Sequence, residues 1–143
     1  MAAIAPTYII LGNHDGNLRN SSRQDALSPI VKAINSPNLI LLRQAGETHL
    51  KEGFCLNVLS VFDEENWAPP SDPTKINIAL YHGAIDKSKT DQNWTLGGDH
   101  SIEIFDNFDF AFLGDIHKTQ KLDAAGRIWY AGSTVQQNFG ESL

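Results

Sequence analysis

Tyr8-Ile9-Ile10-Leu11-Gly12-Asn13-His14-Asp15-Gly16 is an apolar run that stops at a glycine and passes at once into three polar, metal-capable residues. Such a run suits a buried strand, and Gly12 suits the tight loop it enters. Two later runs end the same way. Ile76–Tyr81 leads into His82-Gly83, and Phe110–Leu113 leads into Gly114-Asp115-Ile116-His117. In open α/β sheets ligands bind beyond the carboxyl ends of strands, so three strands deliver metal-capable side chains to one rim. Glycine at positions 12, 83 and 114 lets the backbone turn sharply enough for short side chains to converge.

The segments between these runs predict a mixed α/β chain. Ala26, Leu27, Ile30, Val31 and Ile34 recur at helical spacing. Ser21 and Ser22 are expected caps, Pro29 argues for a helix start at Ser28 or an early kink, and Asn35-Ser36-Pro37-Asn38 ends the helix. Strands are expected at Leu39–Leu42, Thr48–Leu50, Gly53–Ser60, Ile76–Tyr81, Phe110–Leu113, Lys118–Leu122 and Arg127–Ala131. A hairpin turn is expected at Lys51-Glu52-Gly53. The stretch ENWAPPSDPTK, with three of the six prolines, reads as an exposed intradomain loop, and Asp86–Asp99 as a second polar loop. The pattern is an α/β sandwich built on sheets.

The 143 residues suffice for one domain with a sizeable core. No apolar stretch reaches the roughly 20 residues of a membrane span. MAAIAPTYII lacks the basic region of a signal peptide, so export is not expected. The single cysteine, Cys55, sits in FCLNVL and reads as a buried strand thiol in a reducing, cytoplasmic setting. A formal net charge of −6 argues against a surface built wholly for phosphate, yet carboxylates and imidazoles gathered for cations leave a chain acidic on paper.

Taken singly, Gly-Asn-His-Asp also reads as a capped turn, and Tyr-His-Gly as a structural strand-end histidine. Together and in this order they resemble the calcineurin-like metallophosphoesterase superfamily, whose late motifs are Gly-Asn-His-Asp/Glu, a strand-terminal His and Gly-His-x-His. FDFAFLGDIHKTQ and WYAGSTVQQNFGE extend the resemblance to the DNA repair and recombination nuclease branch, the SbcD-type and phage-type subunits. The resemblance runs from Tyr8 to Glu141. It implies part of a four-layer α-β-β-α sandwich and two divalent cations, manganese or a similar first-row ion, which activate a hydroxide for in-line attack at phosphorus. It further implies that Asn13 and His82 ligate one metal and His117 the other. His14 would be the catalytic histidine at the leaving oxygen, its ring oriented by the carboxylate of Asp15. DNA and a coiled-coil ATPase subunit are the implied partners; a homodimer is compatible, and no membrane is involved.

The chain departs from the family pattern twice. Asp115 replaces the first His of Gly-His-x-His, and strand alternation is expected to keep it beside His117 as a ligand. The family's Asp-x-His and Gly-Asp precede Gly-Asn-His-Asp, yet MAAIAPTYIIL holds no Asp, Glu or His. The expectation is one N-terminally incomplete domain over residues 1–143, with half of a two-metal site, open strand edges and marginal stability. A phosphatase, a nucleotide phosphodiesterase or a non-catalytic scaffold on the same fold remains open. His49 and His100 read as solvated. Lys118, Lys121 and Arg127 read either as phosphate contacts or as a solvated face, while Lys87 and Lys89 are flanked by acids. Trp67, Trp94 and Trp129 read as packing before base stacking, and Ser133 and Thr134 lie where the chain returns to the site.

Overall fold

The computed structural model describes residues 2–136. The QNFGE portion of the C-terminal resemblance, residues 137–141, lies outside them. Strand β1 (Thr7–Ile10) pairs in parallel with β2 (Leu39–Leu42), joined by helix α1 (Leu27–Ile34), which packs on β2. The remaining strands form one six-stranded mixed sheet in the order β3-β4-β5-β6-β8-β7. They are β3 (Gly46–His49), β4 (Phe54–Leu59), β5 (Ile76–His82), β6 (Phe110–Gly114), β7 (Gln120–Lys121) and β8 (Ile128–Tyr130). The run β4-β5-β6-β8 is parallel, and the short edge strands β3 and β7 are antiparallel. The architecture is therefore mixed α/β, with a mixed multi-strand sheet and one α-helix among the described residues.

Strand periodicity explains the core. In β5, Asn77, Ala79 and Tyr81 are buried at every second position, and Ala111, Leu113, Ile128 and Tyr130 continue that face across β6 and β8. The β5–β6 crossover covers it with Ile85, Phe105 and Phe108. On the opposite face Ile76, Phe110, Phe112 and Trp129 are exposed, although Phe112 and Trp129 sit directly opposite one another.

The helix differs from its sequence signals. Neither Ser21 nor Ser22 caps it; it begins at Leu27, and Asp25 accepts the Ser28 N–H at 2.6 Å and the Ser28 hydroxyl at 2.7 Å. Arg43 Nε holds the same carboxylate at 2.8 Å. Burial alone would raise the Asp25 pKa, but the Arg43 and Ser28 hydrogen bonds outweigh it and bring it down to about 2. Asn35 ends the helix in the left-handed conformation. Ile30 and Ile34, apolar residues of the helical pattern, are exposed. The predicted strand Lys118–Leu122 contracts to two residues.

Candidate metal centre

The carboxyl ends of β1, β5 and β6 meet. His82 is the last residue of β5, and its ring lies between two glycines from different sheets. A Cβ at Gly12 would stand 2.8 Å from His82 Cε1 and Nε2, and one at Gly114 would stand 2.8 Å from Nδ1. Only a residue without a side chain permits either approach. The glycines read as sharp turns are thus also the walls of a slot for one imidazole. Burial lowers the His82 pKa against the pull of the Asp115 and Asp15 carboxylates, so the neutral ring keeps a lone pair for a cation.

Asp115 lies beyond the end of β6 at φ 90, a conformation costly for a residue with a Cβ. Asp115 thus stands in the loop after β6 and lines the same cavity as His117. Its Oδ1 accepts a hydrogen bond from Asn13 Nδ2 at 3.2 Å and lies 3.6 Å from His82 Nε2. Asn13 Oδ1 is buried with no hydrogen-bond partner. An amide oxygen left so beside a carboxylate and a neutral imidazole fits a divalent cation, since unpaired buried acceptors are rare and costly.

The neighbouring side chains complete a cavity of about 650 Å3 that also holds His14, Asp15, His117 and Ser133. Asp15 Oδ2 accepts the Gly12 N–H at 2.8 Å, and its own N–H donates to Gly12 O at 2.9 Å, closing the loop that presents Asn13 and His14. The chain after β8 returns here: Ser133 N–H donates to His117 O at 3.0 Å, and Gly132, at φ 79, passes close against His117 and Thr119. Beneath the site, buried Tyr130 donates to Gly83 O at 2.7 Å and accepts the Ile85 N–H at 2.9 Å, fixing the turn after His82. Among the described residues, no three of His14, Asp15, His82, Asp115 and His117 bring ligand atoms all within 4.8 Å of one another.

A second cavity, of about 500 Å3, shares Asn13, His82 and Asp115 as a wall and extends toward Phe62, Glu64, Tyr81 and His100. His100, read as solvated, is partly buried. Its ring packs on Trp67 with centroids 4.9 Å apart and on Tyr81 at 6.1 Å, and Nε2 lies 3.5 Å from Glu64 Oε1. The main-chain bridge between Ile85 and His100 carries it there, a long-range pairing with no local sequence signal. Trp67 is packed as expected; Trp94 and Trp129 are exposed. Arg127 is engaged by Asp123, and Lys118 by Asn93, which favours the solvated-face reading of that basic group. No described helix is long and apolar enough to cross a membrane.

No protein-family model matches the chain. It is 38% identical over 152 aligned residues to the uncharacterized protein R555 of Acanthamoeba polyphaga mimivirus, covering 98% of the chain and 11% of that protein. It is 27% identical over 157 residues to a protein of Invertebrate iridescent virus 6 named putative phosphoesterase 244L, covering 97% of the chain and 49% of that protein. The chain therefore spans about a tenth and about half of the lengths of these two relatives, and similarity to the second is the point at which comparison touches phosphoester chemistry.

Proposed function

We propose that the chain carries part of the centre of a metal-dependent phosphodiester hydrolase, acting on DNA in repair or recombination with a coiled-coil ATPase partner. The observation that carries this reading is the buried, unpartnered Asn13 Oδ1 beside Asp115 and His82. In this reading Asn13, His82, Asp115 and His117 hold two divalent cations, for which nitrogen and oxygen donors of this kind suit manganese. Bound there, the cations supply Lewis acidity at phosphorus and make hydroxide available near neutral pH. The similarity to a putative phosphoesterase agrees with the chemistry, and the greater length of both relatives agrees with the remaining ligands, Asp-x-His and Gly-Asp, lying outside these residues.

The chain's own groups divide the work. His82 stays neutral and fixed between its glycines; Asp15 holds the turn; His14, on the same cavity wall, holds a proton for the leaving oxygen. The two cavities leave space on both sides of the Asn13–His82–Asp115 wall. Calorimetric manganese titration of the chain and of His82→Ala tests the ligand set: binding lost in the variant supports it, and identical isotherms overturn it. Manganese-dependent cleavage of linear duplex DNA is expected to exceed hydrolysis of p-nitrophenyl phosphate, and the reverse preference overturns the nuclease assignment.

A further inference from the structure

At the other end of the sheet a different donor set is assembled. Glu47 and His49 are two apart on β3 and so share a face, and Cys55 on β4 sits directly opposite His49. One ligand atom from each lies within 4.8 Å of the others. Cys55 pairs along β5 with Asn77, five residues before His82, which puts this trio roughly 17 Å along the strands from the candidate phosphoester site at ~3.3 Å per residue.

We propose that Glu47, His49 and Cys55 form a second metal site, selective for a zinc-like divalent cation. The donors are one carboxylate oxygen, one imidazole nitrogen and one sulfur, the mixture zinc and cobalt accept and manganese does not favour. The surroundings already orient one of the ligands, as outer contacts do in metal sites. Ser71 donates to the Glu47 carboxylate through its N–H at 2.5 Å and its hydroxyl at 2.6 Å. Lys75 Nζ donates to His49 Nδ1 at 2.9 Å. That hydrogen bond leaves the ring proton on Nε2, which faces Glu47 Oε2 at 3.4 Å. A cation binds the Nε2 lone pair once the ring proton has shifted to Nδ1 and Lys75 has swung away, and the Cys55 thiol gives up its proton to solvent. Cys55 is 1% exposed and forms the floor, while His49 opens the remaining coordination position to solvent. The sulfur lies under an edge strand, so an occupied site clamps β3 onto β4 where the sheet is otherwise free.

Cobalt(II) tests this without reference to the other site. Cys55 is the sole cysteine, so a thiolate-to-cobalt charge-transfer band in the near ultraviolet can arise only here. The whole chain is expected to develop that band at one equivalent of added cobalt and to lose it when zinc is added. His49→Gln, an exposed substitution expected to keep the native circular dichroism, is expected to weaken cobalt binding at least about tenfold. Cys55→Ser is expected to abolish the band. Lys75→Met, which removes the neighbouring ammonium, is expected to strengthen binding. A folded chain that takes up cobalt with no charge-transfer band, or one whose band is unchanged in His49→Gln, overturns the site. The absence of manganese binding around His82 leaves this sulfur-specific readout standing.

Discussion

Asn13 Nδ2 donates to Asp115 Oδ1 at 3.2 Å, tying together two loops 102 positions apart, and the same carboxylate oxygen lies 3.6 Å from His82 Nε2. The tie uses the nitrogen of the amide and leaves its oxygen buried and free for a cation. Asn13→Ala removes that oxygen and releases Asp115. Calorimetry is expected to show manganese affinity falling by about tenfold or more.

The imidazole slot makes a second, sharper prediction. Gly114→Ala places a methyl 2.8 Å from His82 Nδ1, and Gly12→Ala places one 2.8 Å from Cε1 and Nε2. The ring has to leave its place in either variant. The expected result is lost cation binding with native far-ultraviolet dichroism and a stability cost of about 1–3 kcal/mol, read from urea denaturation. An unaltered manganese isotherm in both variants would show that the His82 ring position is irrelevant to binding.

Much of this centre was legible from three apolar runs ending in glycine, because a buried parallel strand needs a continuous apolar sequence and its end needs a turn. Asn13, His82 and Asp115 are close for that reason. Other features depend on partners far along the chain. Asp25 gave no helix-cap signal that outranked Ser21 and Ser22; what fixes it is Arg43, from the far side of β2. Asp115 takes a positive φ in the loop just past β6, which the strand pattern alone does not indicate. His100 was read as solvated because its two aromatic neighbours, Trp67 and Tyr81, are brought to it only by the sheet.

Asp25 sets the acid side of the stability profile. Its carboxyl falls from 3.8 in the unfolded chain to about 2 in the native state, so its contribution is complete above pH 3.8 and disappears as pH falls through about 2. That shift corresponds to about 2 kcal/mol. Asp25→Asn is expected to lower the unfolding free energy by about that amount at pH 7 and to converge with the parent chain near pH 2. Urea titrations of both chains across that range check it.

Tyr130 acts on the alkaline side. Burial raises its phenol to about 12 despite the Ile85 N–H, which favours the anion. Its contribution is complete below pH 10 and is lost as pH rises through about 12. Tyr130→Phe leaves Gly83 O without its donor and Ile85 N–H without its acceptor. The expected cost is about 1–3 kcal/mol, with weaker manganese binding through the loosened turn after His82.

Phe110, Phe112 and Trp129 predict association, because they expose neighbouring rings on one sheet face. Sedimentation of the parent chain is expected to depend on concentration, and Phe112→Ser is expected to reduce that dependence. A concentration-independent monomer in the parent chain would show that the face is inert.

The slot around His82 also bears on the order of events in folding. Gly12 follows a strand of the two-stranded sheet, while Gly114 ends a strand of the other, so the ring finds both walls only after the two sheets have docked. Pairings between such distant parts of a chain are the slow ones to form. In a refolding experiment, manganese uptake should therefore lag the appearance of strand signal, timing the arrival of β1 against the finished sheet.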